Sequence, residues 1–85
     1  MSGNRIYYIL RRGKEYLNSW VEYHDGRIRG HAVFSVYRYD AARIRELHQA
    51  KRIVRSLMDE GEEWKIIRFN QLTGGEETVW KTEQQ

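Results

Sequence analysis

The chain has 85 residues, a formal net charge of +3 and 32 % charged residues, and it contains no cysteine. This length predicts a single domain over residues 1–85 with a thin core, because a chain this small buries only about 60 to 65 % of its unfolded surface. The lack of cysteine excludes disulfides, thiol chemistry and cysteine-ligated zinc. No apolar run reaches membrane-spanning length and the first residues lack a hydrophobic signal core, so we expect a cytoplasmic protein with no membrane partner.

Apolar residues that alternate or run continuously predict three strands in the first part of the chain. These strands are residues 5–11, 15–23 and 31–37. The first two should form a hairpin across Gly13 and Lys14. Asp25 and Gly26 form a strong turn dipeptide because both residues tolerate positive φ. Residues 26–30 are then expected to form a loop or a short irregular strand.

An amphipathic helix is predicted between Asp40 and Gly61. At about 100° per residue, one apolar stripe contains Leu47, Ala50, Ile53, Val54, Leu57 and Met58. Asp40 suits the N-cap and Gly61 suits the left-handed position after the C-terminus. Ile44 would point into the basic side of one unbroken helix. We therefore expect a short turn and a break before a main helix that begins at about Arg45.

Two further strands are predicted after the helix, at residues 63–72 and 77–81, with a turn at residues 73–75. Residues 82–85 are expected to form a frayed tail. The predicted fold class is α+β with the order β-β-β-α-β-β. It is an antiparallel sheet of four to five strands with one main helix packed on one face.

The first two strands are apolar in both phases, although one helix covers only one face of a sheet. The second face is expected to be an aromatic binding surface formed by Tyr7, Tyr16, Trp20 and Tyr23. Such a face needs a second copy of the chain, a binding partner, or its own rim of long arginine and lysine stems. Alternatively, loops and the C-terminal hairpin cover part of it.

Several segments resemble a diffuse group of small proteins encoded in phage and prophage genomes. They are Ile6-Tyr-Tyr-Ile-Leu-Arg-Arg-Gly-Lys-Glu-Tyr-Leu17, Phe34, Asp40-Ala-Ala-Arg-Ile44, Ile53-Val54, Leu57 and Trp64-Lys-Ile-Ile-Arg68. The resemblance implies a mobile-element accessory protein, a class that includes inhibitors of host defence such as anti-CRISPR proteins. It implies no catalytic residues. The stretch between Tyr23 and Phe34 and the hairpin after Phe69 depart from the group's pattern.

The sequence carries no catalytic or ligand signature. His24 and Asp25 are adjacent, so in a strand their side chains would point to opposite faces instead of forming a catalytic pair. Gly74 and Gly75 lead into a strand and not into a helix, which argues against a phosphate loop. An acidic group at the end of the helix lies where the helix dipole disfavours anions, and it predicts a solvated loop: Asp59, Glu60, Glu62 and Glu63. We therefore expect no enzyme activity, no cofactor and no metal.

Two binding hypotheses follow. The first is recognition of a host protein or ribonucleoprotein complex, or of a second copy in a homodimer, through the aromatic face, because tyrosine, tryptophan and arginine dominate interface energetics. The alternative is nucleic-acid binding through a basic patch formed by Arg27, Arg29, Arg45, Lys51, Arg52 and Arg55. Aromatic residues interleaved with arginine on one surface would favour nucleic acid, but the predicted basic helix face has no aromatic residue.

Overall fold

The computed structural model describes residues 5–23, 25 and 28–82, without the side chains of residues 28–30. The elements are β1 (Ile6–Arg12), β2 (Glu15–Glu22), β3 (Ile28–Ser35), a 3₁₀ turn (Arg38–Asp40), α1 (Leu47–Leu57), β4 (Trp64–Asn70) and β5 (Glu76–Lys81). The strands form one antiparallel sheet of order β3-β2-β1-β4-β5. The α+β class and the order β-β-β-α-β-β are confirmed.

The core lies between α1 and one face of the sheet. Its buried residues are Leu10, Leu17, Ile44, Ala50, Ile53, Val54, Trp64 and Ile66. Each large apolar side chain fully removed from water stabilises the fold by about 1.5 to 3 kcal/mol. The indole N–H of the buried Trp64 has a hydrogen-bond partner, because Nε1–H donates to Glu62 Oε1 at 3.2 Å. One side of a small sheet therefore supplies most of the buried surface of this domain.

The predicted apolar stripe of α1 is largely correct. Ala50, Ile53 and Val54 are buried, and the first and last helical leucines pack against them. Met58 is the exception, because it lies one residue past the helix and is exposed. The helix begins at Leu47, two residues after the predicted start.

Both predicted helix caps were wrong. Asp40 lies in the 3₁₀ turn, where its Oδ2 accepts a hydrogen bond from Ser35 Oγ at 2.7 Å. Glu46 occupies the N-cap position of α1 without a side-chain cap bond. Gly61 adopts a positive φ of 87°, but it lies beyond the extended residue that ends the helix. Its conformation therefore serves the turn into β4.

The structure differs from the prediction most clearly at the ends of β3 and at the start of the tail. β3 covers residues 28–35 instead of 31–37, because Ile28 already pairs with Glu22 of β2. Thr82 was assigned to the tail, yet its N–H donates to the carbonyl of Trp64 at 3.0 Å. The rest of the predicted tail, residues 83–85, lies outside the described residues.

The hairpin of β1 and β2 is open at one end. The two strands pair beside their turn, where Gly13 has a φ of 57°. Farther along, the chain after the 3₁₀ turn inserts between them. Ala42 N–H donates to the Leu17 carbonyl at 2.9 Å, and Ile44 exchanges both backbone hydrogen bonds with Tyr8 at 2.7 and 2.9 Å. Ile44, the misfit in the helical pattern, is therefore a core residue within the sheet.

The second face of the sheet is partly covered by the same chain. Arg38, in the connection from β3 to α1, lies over Phe69 on this face, whereas α1 packs on the other face. Ile9 and Ile67 of the second face are only 2 % and 7 % exposed. The connection thus passes from one face to the other between β1 and β2. Within the described part of the chain, no helix has the length and apolar character needed to cross a membrane.

Candidate functional site

The four predicted aromatic residues do not share one face. Tyr7 and Tyr16 lie on the face away from α1, as the pairing of β1 with its neighbours requires. Trp20 lies on the α1 side and packs against the core, because an irregularity in the pairing after Leu17 shifts the alternation of β2. Tyr23 is exposed just beyond the end of β2. The prediction for Trp20 therefore placed it on the wrong face.

Arginine side chains cover the rings of the second face. Three guanidinium carbons lie over ring centroids: Arg11 over Tyr16 at 5.6 Å, Arg38 over Phe69 at 4.5 Å and Arg43 over Tyr7 at 4.9 Å. Each such contact contributes about 0.5 to 1 kcal/mol at an exposed site. Of the arrangements predicted for this face, the structure contains the rim of arginine stems and partial cover by a loop, the connection from β3 to α1.

Arg38 also fixes the connection from β3 to the sheet. Its Nη2 lies 2.6 Å from Oε2 of Glu76 on β5. This contact is close but not aligned as a hydrogen bond, since Nη2 lacks a partner of suitable geometry in the described structure. We therefore treat it as an ion pair that anchors the guanidinium above Phe69.

A group of large apolar side chains beside this anchor faces solvent. The exposed patch consists of Val36, Tyr37 and Tyr39, which are 62 %, 56 % and 81 % exposed, and Val33 of β3 is 54 % exposed. The two tyrosine rings stack with centroids 5.4 Å apart and planes 26° from parallel. Tyr37 N–H donates to Ser35 Oγ at 3.1 Å, which fixes the start of the turn. Sequence reasoning missed this patch because it assigned residues up to Tyr37 to a strand.

The predicted basic patch is only partly described. Arg27 and the side chain of Arg29 lie outside the described residues. Arg45 and Arg55 are exposed, whereas Lys51 is half-buried. The exposed pair is available for binding.

Arg52, also in the predicted patch, has a structural role. Its guanidinium donates to Glu22 Oε1, which ties α1 to the end of β2. This hydrogen bond is the main cause that lowers the pKa of Glu22, and a smaller contribution comes from the Trp20 side chain. Arg52 is therefore not a free cation for a ligand.

A cleft of about 600 Å³ opens between β2 and the start of α1. It is lined by Trp20, Arg43, Ile44, Arg45, Glu46 and Gln49. The cleft brings Trp20 of the predicted aromatic set to Arg45 of the predicted basic set. Arg43 joins them and also stacks on Tyr7. No sequence signal predicted this arrangement, because it depends on the insertion of the chain between β1 and β2.

The acidic group after α1 has a structural role at Glu62. Its Oε1 accepts from the Asp59 amide at 2.8 Å and from the Trp64 indole at 3.2 Å, and its Oε2 lies 3.6 Å from Arg12. The hydrogen bond from Asp59 is the main cause that lowers the pKa of Glu62. Among the residues that the structure describes, no group of three or more histidine, aspartate or glutamate side chains could hold a metal ion.

Three surfaces are candidates for function: the exposed patch, the cleft and the arginine-covered second face. All three adjoin the connection from β3 to α1. This segment is thus the part of the fold that concentrates aromatic and basic side chains. A comparison of the chain with known protein families, with curated proteins and with solved structures finds no match.

Proposed function

We propose that this protein is a non-enzymatic binding domain that acts by protein–protein recognition through the exposed patch. The observation that carries the proposal is the stacked pair of Tyr37 and Tyr39 with Val36, all more than half exposed. Aromatic side chains with arginine nearby are the residues that most often supply binding energy at protein interfaces. A patch of this kind marks an interaction site more often than it serves the stability of a monomer.

The patch is held in place before any partner binds. Ser35 Oγ donates to Asp40, and Asn18 Nδ2 donates to the Asp40 carbonyl at 2.5 Å, so the last residue of the turn is tied to both β3 and β2. The ion pair of Arg38 with Glu76 adds a third tie. A preorganised surface loses less conformational entropy on binding, which supports tight recognition.

The resemblance to phage-encoded accessory proteins guides the choice of partner. We propose that the partner is a host protein or ribonucleoprotein complex, such as a defence complex in the host cytosol. The domain inhibits this partner by covering a surface that the partner needs for its own activity. Such inhibition needs no catalytic residue. The net charge of +3 suits a partner that is acidic or carries nucleic acid.

Phage plaquing on bacteria with an active CRISPR defence tests this role. Expression of the wild type should raise plaquing, and Tyr37→Ala/Tyr39→Ala should lose most of the effect. Arg45→Gln/Arg55→Gln should keep it. With the purified partner, the tyrosine variant should bind at least about 30-fold more weakly, because truncation of an interface anchor costs about 2 kcal/mol or more. Loss of the effect in the glutamine variant alone would overturn the proposal.

Nucleic-acid binding is the second candidate, and the stacks of arginine on aromatic rings favour it. Lys65 and Lys81 are exposed and pair across β4 and β5 on the face that carries these stacks. Wild-type affinity for DNA or RNA should then fall steeply with salt, because each neutralised phosphate releases counterions. Lys65→Gln/Lys81→Gln should weaken binding and reduce the salt slope. Salt-independent binding, or none, would contradict this candidate.

A further inference from the structure

Three cations lie side by side at one end of the second face of the sheet. Arg11 of β1 is directly opposite Lys65 of β4, and Lys65 is directly opposite Lys81 of β5. Directly opposite residues of neighbouring antiparallel strands share a face, and the strands are about 4.8 Å apart. Arg11, Lys65 and Lys81 therefore form a cation row that crosses three strands.

The cation row destabilises the sheet unless an anion neutralises it, because like charges directly opposite each other repel. Lys65 and Lys81 are exposed, and none of the salt bridges found among the described residues includes a member of the row. A lysine on an edge strand protects against aggregation, which accounts for Lys81 on β5. It does not account for Lys65, because β4 lies between β1 and β5. A polyanion lying along the row would remove the repulsion.

A stacking surface adjoins the cation row. Tyr16 of β2 is directly opposite Arg11, and the guanidinium carbon of Arg11 lies 5.6 Å from the centre of the Tyr16 ring. Arg11 Nε donates to the Gly13 carbonyl at 2.9 Å, which orients the guanidinium. Tyrosine rings and guanidinium planes both stack on nucleobases. One surface therefore offers charge for a phosphate backbone and planes for bases.

The width of the sheet argues against a duplex as the ligand. The major groove is about 12 Å wide and admits a helix or a two-stranded ribbon. Arg11 and Lys65 lie on β1 and β4, in the interior of a five-stranded sheet that is about 19 Å across. This face can touch a duplex only at its phosphates, because the bases of a duplex stay stacked inside it. A single strand can place its phosphates on the cation row and a base against Tyr16 at the same time.

We infer that the second face binds single-stranded nucleic acid across the strands of the sheet, with phosphates along the cation row and a base at Tyr16 and Arg11. The inference rests on the nucleic-acid candidate above and deepens it, because it specifies the strand state of the ligand and the place of a base. The site shares no residue with the exposed patch. Recognition of a protein through the patch can therefore stand or fail separately.

Fluorescence anisotropy with the wild-type protein tests the strand state. A labelled oligothymidylate should bind at least about tenfold more tightly than a duplex of the same length, because only the single strand gains stacking. Equal or tighter binding of the duplex would overturn the inference and leave the nucleic-acid candidate standing. Binding of neither would overturn both. Displacement of the oligothymidylate by an equal concentration of polyglutamate would show attraction to any polyanion and would also overturn the inference.

Matched charge variants locate the strand on the cation row. Lys65→Gln should weaken oligothymidylate binding and lower the salt slope by about 0.7, the change expected for one lost phosphate contact with a single strand. Arg55→Gln, an equal charge change on α1, should leave both unchanged. Both side chains are exposed, and Lys65→Gln should raise the melting temperature because it removes repulsion from the row. Equal losses of affinity in the two variants would contradict this placement of the phosphates.

Tyr16→Leu tests the stacking contribution. The variant should bind oligothymidylate at least about fivefold more weakly and leave duplex binding unchanged, because leucine keeps an apolar side chain at this half-buried position and removes the ring. Its melting temperature shows whether the fold is retained. Wild-type affinity for oligothymidylate in the folded variant would overturn the placement of the base.

Discussion

At the residue scale, Glu62 links the turn after α1 to the core. One carboxylate accepts from the Asp59 amide and the Trp64 indole and faces Arg12. These contacts favour its charged form and lower its pKa, chiefly through the hydrogen bond from Asp59. A carboxylate with a lowered folded-state pKa stabilises the fold above its unfolded value and loses that contribution as the pH falls.

The first prediction follows from the downward direction of this pKa shift. The unfolded value is near 4.5, so the contribution of Glu62 should be present at neutral pH and lost as the pH falls through its lowered folded-state pKa. Glu62→Gln should therefore be less stable than the wild type at pH 7, and the difference should shrink at low pH. Urea unfolding at several pH values measures this. Glu60→Gln, an exposed neighbour, is the control, and identical pH curves for the two variants would contradict the prediction.

A second prediction concerns the core side of α1. Ile53 is fully buried, so Ile53→Ala should cost about 2 to 5 kcal/mol, a large part of the stability of a small domain. Arg55→Ala, two residues later and exposed, should change stability by no more than about 0.5 kcal/mol. Chemical denaturation compares the two. Similar losses at both positions would mean that the assignment of helix faces is wrong.

At the element scale, the insertion between β1 and β2 decides the architecture. β1 and β2 separate beyond their turn. The backbone of Ile44 pairs with Tyr8 in the space between the two strands, and the Ile44 side chain is part of the core. This segment carries Arg43 to the second face while Arg45 stays at the cleft. One crossing of the sheet therefore positions residues of both candidate ligand surfaces.

Hydrogen exchange tests the insertion. The Tyr8 amide bonds to Ile44, whereas the Ile9 amide, which follows on the strand, points toward β4. Ile44→Ala should cost about 2 to 5 kcal/mol and accelerate exchange at Tyr8 more than at Ile9, because the inserted segment loosens first. Ile44→Val should have a smaller effect of the same kind. Uniform acceleration at both amides would show that the segment does not open separately.

At the scale of the whole molecule, the homodimer was expected to form through an uncovered second face of the sheet. Ile9 and Ile67 of that face are buried within one chain, however, and arginine stems cover its aromatic rings. The exposed patch remains as the apolar surface beside that face. Any self-association should therefore use the patch and not the centre of the sheet.

Light scattering over a range of concentrations measures this. We expect a dimer mass at high micromolar concentration for the wild type and a monomer for Tyr39→Ser, because Tyr39 is the most exposed aromatic residue of the patch. Val21→Ser changes an exposed apolar residue outside the patch and should leave the dimer intact. A wild-type monomer at every concentration, or a dimer of Tyr39→Ser, would contradict the prediction.

The sequence alone determined the features that depend on neighbours along the chain. Alternation identified the strands, a 3.6-residue period identified the buried face of α1, and Gly13 marked the turn of the first hairpin. These properties are local, because backbone preference and the direction of successive side chains act within a few residues. They sufficed for the fold class and for the element order.

Only the tertiary structure decided which surfaces exist. The irregularity in β2 that turns Trp20 toward the core arises from its pairing with β3, and the place of Ile44 depends on the opening of a hairpin about 30 residues earlier. The stack of Arg43 on Tyr7 and the cleft beside α1 join residues that are distant in sequence. Contacts of this kind leave no periodic pattern, because they depend on how complete elements pack together and not on the preferences of any one segment.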